Sequence, residues 1–305
     1  MQLPSPIRIG TRTSKLALTQ AEMLRGALAD AFAALAFELV PMLTTGDKNA
    51  DRPLAEIGGK GLFTKELEEG LLSGRIHIAA HSLKDMETRL PEGLLIGAVL
   101  PRGDPRDALV AREGGTLATL VPGARVGTSS PRRAAQVMMA RPDLRIVPFR
   151  GNVPTRIGKL KAGEVDATLL ALAGLRRIGM ENEAAEILDT ERFIPAAGQG
   201  VIAVECRQDS EPLRRMLLAI QHAPTHCAML AERSVLAALG GSCRTPVGAY
   251  AHIENGRLHL NAMIARPDGS AHLRVAREGD AKDAEMLGAD AGAELLARGG
   301  KDWCA

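Results

Sequence analysis

Aromatic residues are nearly missing from this chain: one Trp, one Tyr and five Phe in 305 residues. Platforms for stacking successive bases are not available in number, so single-stranded nucleic acid is disfavoured as a partner. A dominant charge is missing too. Thirty-eight Lys and Arg face 36 Asp and Glu, a formal net charge of +2, so anion binding has to come from local clusters rather than a global basic field. No apolar run reaches the roughly 18 residues of a membrane-spanning helix. The opening MQLPSPIRIG has no apolar region behind a basic one. A cytoplasmic protein without a membrane partner is therefore expected.

The four cysteines, Cys206, Cys227, Cys243 and Cys304, form no C-x-x-C pair and no disulfide-like spacing, which fits a reducing compartment. His222, His226 and Cys227 straddle a proline and lack a fourth ligand, so no metal is expected. Neither G-x-x-x-x-G-K-[ST] nor G-x-G-x-x-G occurs, and GGKG at 58–61 has the wrong spacing for a phosphate loop.

What is present is an ordinary globular composition, 46% hydrophobic and 24% charged, in a chain long enough for two or three cored domains. PIRIG reads as a strand, followed by a helix whose Leu16, Gln20/Ala21, Leu24, Leu28 and Phe32 recur at helical spacing. LTTGDKNADRPLAEIGGKG is a long polar loop and a candidate lid, about residues 43–61. A helix from Phe63 to Gly74 leads into the strand of RIHIAAHSLKD. RGDPRD at 102–107 reads as a hinge, after which strand and helix signals restart. From Tyr250, three alternating strands joined by Asn-Gly and Pro-Asp-Gly turns precede a last helix. The fold class is α/β, with two α/β domains and a C-terminal antiparallel α+β domain.

In open α/β sheets, ligands sit beyond the carboxyl ends of the strands. Those ends carry Thr11, Arg12 and Ser14; His81, Ser82, Lys84 and Asp85; Thr128, Ser129, Ser130, Arg132 and Arg133; Arg150, Gly151, Asn152 and Arg156; and Arg176 with Arg177. In GTSSPRR, hydroxyls and free N–H groups at a helix start, with Pro at its first position, make an anion site. Arginine suits carboxylate or phosphate, and the missing nucleotide fingerprints favour carboxylates. Asp85 is the acidic group among these cations, placed either to balance charge or to stabilise a developing cation. Cys243 stands in LGGSCRTP, where Gly240 and Gly241 before it and Arg244 and Pro246 after it argue for an exposed loop; the arginine favours the thiolate.

HSLKD, GTSSPRR, FRGN with Arg156, GLRR, AAGQG and AERSVLAALGGSCRTP follow one another along most of the chain. The ordered set resembles the porphobilinogen deaminase (hydroxymethylbilane synthase) family. The resemblance implies two domains like a type II periplasmic binding protein, with an active cleft between them. It implies a third domain bearing a dipyrromethane cofactor, joined through a thioether to Cys243. The implied reaction adds four porphobilinogen units head to tail to that primer and releases a linear tetrapyrrole. By the resemblance, Asp85 stabilises the azafulvene cation left by loss of ammonia. Arg12, Lys84, Arg132, Arg133, Arg150, Arg156 and Arg177 bind acetate and propionate groups, helped by Ser14, Thr128, Ser129 and Ser130. From their placement on different strand ends, Arg132 and Arg133 are expected mostly to hold the primer, while Arg12 and Arg156 serve the incoming ring or later elongation. Phe63 packs on a pyrrole ring, with Gln20 and Gln199 beside substrate or lid.

Departures from the family pattern are Thr45 where arginine is frequent, Lys15 for a common proline, and Met86-Glu87-Thr88 for a common Val-Pro turn. The implied boundaries are 1–101 with 200–219, 102–199, and 220–305. A monomer is expected, handing its product to uroporphyrinogen-III synthase. Two other classes fit parts of the pattern. A non-catalytic cytoplasmic binding protein for a polycarboxylate or oxyanion leaves the Cys243 loop unexplained, and a transcription-regulator effector domain lacks a helix-turn-helix.

Overall fold

The computed structural model describes residues 3–48, 61–240, 245–299 and 303. Cys243, Cys304 and residues 49–60 of the expected lid lie outside them. The chain begins with β1 (Ile7–Arg12), α1 (Lys15–Ala31), β2 (Phe37–Met42), α2 (Thr45–Lys48), α3 (Lys65–Leu72), β3 (Ile78–Ser82) and β4 (Leu94–Val99). It continues through β5 (Asp107–Ala111), β6 (Arg125–Gly127), α4 (Pro131–Ala140), β7 (Arg145–Val147), α5 (Val153–Lys161), β8 (Ala167–Ala171), α6 (Leu172–Arg177) and β9 (Glu186–Ile187). Then come β10 (Ile202–Arg207), α7 (Glu211–Leu218), α8 (Ala223–Leu239), β11 (Val247–Glu254), β12 (Arg257–Ala265), β13 (His272–Asp280) and α9 (Ala284–Gly299).

Two compact units contain these elements, residues 1–102 with 201–226, and 103–200 with 227–305. In the first unit the sheet runs β2-β1-β3-β10-β4, with β1 parallel to β2 and β3, and β10 antiparallel to both its neighbours. Helix α1 starts at Ser14, whose hydroxyl accepts the Ala17 N–H, and buries Ala17, Gln20, Ala21, Leu24 and Leu28. The buried stripe thus includes Ala17 and leaves Leu16 half-buried at its edge. Leu67 and Leu71 of α3 join Met42 and Ile76 in a separate core cluster.

The second unit holds a sheet in the order β7-β6-β8-β5-β9, again with parallel pairs around β6 and an antiparallel β5 beside β8. It also contains the three-stranded antiparallel sheet β11-β12-β13. Asn255 and Gly256 turn the first hairpin at φ 50° and 79°, the left-handed pair that a tight two-residue hairpin loop requires. The C-terminal sheet packs its own core, including Val235, Ala249, Leu260, Ala291 and Leu295, distinct from the clusters around Leu109 and Leu169 and around Leu170 and Leu175.

Helices α8 and α9 meet at glycines. A Cβ on Gly288 would stand 2.1 Å from the Ala231 carbonyl oxygen, and one on Gly292 2.6 Å from Ala238 Cβ. Because the first obstacle is backbone, Gly288→Ala has to push the helices apart. A loss of about 1–3 kcal/mol is expected, measured as a fall in the denaturant midpoint; an unchanged midpoint shows that the contact is not tight.

Candidate functional site

In the first unit, the parallel strands β1, β2 and β3 deliver their last residues to one sheet edge. Thr11, fully buried, donates its hydroxyl to the Ala17 carbonyl at 3.0 Å and pins the β1–α1 turn. The Arg12 fork then closes on Asp47, with Nε donating to Oδ2 at 3.2 Å and Nη2 to Oδ1 at 2.5 Å. Its guanidinium carbon lies 4.3 Å from the centre of the Phe63 ring, a cation–π seat. Burial pushes the Asp47 carboxyl up, but Arg12 and the Thr44 hydroxyl outweigh this and hold it below the usual carboxylate range. Gly46 is what allows Phe63 so close, since a Cβ there would meet the ring at 2.3 Å. Thr45, one of the departures, gives its backbone N–H to Glu66 at 2.8 Å.

At the end of β3, Gln20 and Ser82 bind each other, the amide donating to Ser82 Oγ at 2.8 Å. Gln20 is 3% exposed; a buried amide with a fixed partner supports the strand end from behind. His81 is buried with its Nε2 2.9 Å from Oε2 of Glu205, which is itself fully buried. Burial also raises the Glu68 carboxyl above the usual range. Beyond Ser82, a 3-10 turn spans Leu83–Asp85. Leu83 is buried and its N–H donates to the Val201 carbonyl at 3.0 Å, which fixes the turn. Lys84 is half-buried, whereas Asp85 is exposed. Among the described residues, the Asp85 carboxylate has no hydrogen-bond or ion-pair partner. Glu87, another departure, accepts the Gly61 N–H at 3.0 Å.

In the second unit, β5 runs against β8 with Asp107 opposite Ala171, so the first residue of an antiparallel strand arrives where a parallel neighbour ends. The hydroxyls after β6 first build the loop. Thr128 Oγ1 accepts the Ser130 N–H at 3.1 Å, Ser130 caps α4, and Ser129 Oγ donates to the Phe149 carbonyl at 3.2 Å and accepts its N–H at 3.1 Å. Pro131 occupies the first turn of α4.

Arg132 and Arg133 follow and turn inward, 3% and 7% exposed. Arg132 Nη1 lies 2.7 Å from Asp107 Oδ2, and Arg133 gives Asp107 Oδ1 both Nε, at 2.9 Å, and Nη2, at 2.6 Å. Gln199, fully buried, donates to Pro105 O at 2.7 Å and Asp107 Oδ1 at 3.1 Å. It belongs to this buried network.

Arg156, from α5, reaches the same place. Its Nη2 donates to the Leu169 carbonyl at 2.8 Å, and Arg133 Nη1 donates to that oxygen at 3.0 Å. Three guanidiniums therefore cluster around one carboxylate. The Nε atoms of Arg132 and Arg156 are buried with no acceptor among the described residues, and such donors call for an acceptor from a ligand. Burial pushes Arg156 down to about 9 and Arg177 to about 10. Arg177 donates to the Gly200 carbonyl at 2.6 Å. Among the described residues, neither Arg156 nor Arg177 has a carboxylate within ion-pair distance. Arg150 is half-buried at the end of β7, and Asn152 caps α5.

The structure brings Arg132, Arg133, Arg156 and Gln199 into one cluster. In the other unit it places Arg12 and Phe63 together at a sheet edge that also ends in the Lys84–Asp85 turn. The carboxylates that organise these groups, Asp107 and Asp47, were not singled out from sequence. Each stood in a stretch read as turn or loop; a charge opening the apolar strand DALVA was the available signal for Asp107.

Comparison with known proteins gives two family matches. Residues 7–215 match the model described as porphobilinogen deaminase, dipyromethane cofactor binding domain, and residues 226–297 match porphobilinogen deaminase, C-terminal domain. The porphobilinogen deaminase of Nitrobacter hamburgensis is 49% identical over 295 residues, covering 96% of this chain and 93% of that protein. That of Sphingopyxis alaskensis is 54% identical over 275 residues, covering 88% and 87%. Among solved structures, the methionine-binding protein MetQ aligns with a TM-score of 0.45 at 16% identity, over 71% of this chain and 90% of that one.

A pH dependence follows from Arg156. Below about pH 9 its side chain is a cation, and as pH rises through about 9 the free protein loses that charge. A bound carboxylate favours the charged form and draws the pKa back up, so binding weakens above that pH and takes up a proton. Titration calorimetry with a small dicarboxylate is expected to show affinity falling above about pH 9 in the wild type and a flatter, weaker profile in Arg156→Gln. Identical alkaline profiles would assign the titration to another group.

Proposed function

The chain belongs to the porphobilinogen deaminase family, and from that premise we propose how its own side chains divide the work of the family's transferase reaction. Four porphobilinogen molecules are deaminated and joined head to tail on a dipyrromethane primer, and the linear tetrapyrrole hydroxymethylbilane is released.

The single observation that carries the site reading is the excess of buried cations in the second unit. Arg132 and Arg133 share one carboxylate, Arg156 joins them at the Leu169 carbonyl with no carboxylate of its own among the described residues, and Arg132 and Arg156 keep a buried Nε–H without a described acceptor. A dipyrromethane bears acetates and propionates, and those are the acceptors this donor set lacks. When bound, through a thioether to Cys243, it supplies the free pyrrole end to which the first substrate ring is joined. Arg132 and Arg156 hold its carboxylates, while Arg133 and Gln199 set the Asp107 network that positions them. Thr128, Ser129 and Ser130 keep the loop in place, and Arg150 and Arg177 extend the cationic surface for the lengthening chain.

In the first unit, Arg12, Ser14 and Lys84 take the carboxylates of the incoming ring, with Phe63 as an apolar wall beneath Arg12. Gln20 holds Ser82 and thereby the strand end. Asp85, exposed beside Lys84 and without a partner among the described residues, stabilises the cation that loss of ammonia leaves on the substrate ring and directs the pyrrole N–H proton. The three-domain division at 1–101 with 200–219, 102–199 and 220–305 is supported by the separate core of the C-terminal sheet. We also take the chain to act as a cytoplasmic monomer that passes its product to uroporphyrinogen-III synthase; among the described residues no helix is long and apolar enough to cross a membrane. A purely binding role leaves Asp85 and the Cys243 loop without a task.

Two measurements test this assignment. Intact mass of the enzyme made in cells is expected to exceed the chain mass by two linked pyrroles, mapped to Cys243; an unmodified mass in active enzyme, or an adduct on another cysteine, refutes the attachment. Asp85→Asn is expected to lower kcat at least about 100-fold while substrate still binds, with Asp85→Glu retaining more activity because the charge remains. Normal turnover in the Asn variant would make Asp85 a charge-balancing residue.

A further inference from the structure

We propose that Asp47 is an internal competitor for the substrate carboxylate at Arg12, and so sets the affinity and anion selectivity of that subsite. The inference rests on reading Arg12 as a carboxylate-binding residue for porphobilinogen.

Three features distinguish this ion pair from a structural one. Its chemistry is that of the ligand: a planar fork engaged by both oxygens of one carboxylate, as an acetate or propionate would engage it. It is also accessible. The Arg12 and Asp47 side chains are 22% and 15% exposed, against 4% and 0% for the sealed Arg132–Asp107 pair. Opening it leaves Asp47 part-buried but still bonded to the Thr44 hydroxyl, a smaller penalty than stranding a sealed charge.

Both partners, moreover, have somewhere to remain when they part. Arg12 keeps its seat on the Phe63 ring at 4.3 Å, so the guanidinium holds its place while its anion changes. Asp47 keeps the Thr44 hydroxyl, which donates to Oδ2 at 2.7 Å. Beside Arg12 the surroundings stay cationic. Lys15 is exposed with no carboxylate partner among the described residues, and it opens the 17-residue helix α1, whose positive end adds to the field.

An arriving carboxylate therefore exchanges one bidentate pair for another. A monatomic anion cannot match both arms of the fork and does not displace Asp47. Substrate affinity is kept moderate, and weak anions are refused. That suits a site from which each bound ring has to move on before the next one enters.

The test uses the cofactor-loaded enzyme and an unreactive porphobilinogen analogue that keeps the acetate and propionate but lacks the aminomethyl group. Its inhibition constant is measured in wild type, Asp47→Asn, Arg12→Gln and the double variant, with chloride inhibition measured alongside. Asp47→Asn is expected to tighten the analogue roughly three- to tenfold and to make chloride a better inhibitor. Arg12→Gln is expected to weaken the analogue, and in that background Asp47→Asn should have no effect. Thr44→Val, which loosens Asp47 without touching Arg12, should shift the constant the same way by less, and stands in if Asp47→Asn does not fold. An unchanged or weaker constant in Asp47→Asn, or an effect that persists without Arg12, overturns the proposal. A wild-type enzyme that neither consumes porphobilinogen nor binds the analogue overturns the functional reading beneath it.

Discussion

One carboxylate, Asp107, balances guanidiniums on two consecutive residues, and the chemistry of the second unit depends on how incompletely it does so. Ionised groups taken out of water cost several kcal/mol each unless paired. Asp107 is fully buried and engages both Arg132 and Arg133, while Gln199 donates to it from a third direction. Arg156 then arrives at the Leu169 carbonyl that Arg133 already uses, bringing a third cation and no anion. The surplus is structural, because no side chain on the described elements removes it. The polycarboxylate ligand proposed for this cluster would remove it.

The first unit solves the same electrostatic problem differently. Arg12 has a full carboxylate partner, but at a part-buried position that solvent still reaches. The cations thus form a graded series: Arg132 and Arg133 sealed around Asp107, Arg12 held by an accessible partner, and Arg156 and Arg177 with none among the described residues. In the proposed assignment the primer is held where buried donors, the Nε–H groups of Arg132 and Arg156, have no described acceptor. Passage of successive rings would use a cation whose anion can be exchanged, and the proposal places these two needs on different strand ends, each built by its own loop.

Much of this was legible in the sequence because strand ends are local. A βα unit places its polar residues shortly after its apolar run, so Arg12, Lys84, Asp85, Arg132 and Arg156 stand out as a set in the sequence alone. Asn-Gly at 255–256 likewise specified its hairpin through backbone preference alone. The partners were not legible. Asp107 reaches the site only because β5 runs antiparallel to β8, which brings its first residue to the edge where β8 ends. Asp47 reaches Arg12 through the pairing of β1 with β2, 35 residues apart. Gln20 and Gln199 were expected beside substrate or lid, and nothing in a linear pattern shows that Ser82 and Pro105, 62 and 94 residues away, are their acceptors.

The same accounting of partners isolates Asp85. Near these sheet edges Asp47 is spent on Arg12, Asp107 on Arg132 and Arg133, Glu66 on the Thr45 backbone, Glu87 on the Gly61 N–H and Glu205 on His81. Asp85 alone in this group is exposed without a described partner. Its backbone is nonetheless fixed, since Leu83 is buried and bonded to Val201 and the turn closes through the Met86 N–H. A carboxylate that is rigidly carried yet electrostatically unspent is what stabilisation of a transient cation demands. Its charge is not already committed in the ground state, and its position needs no reorganisation when the cation forms.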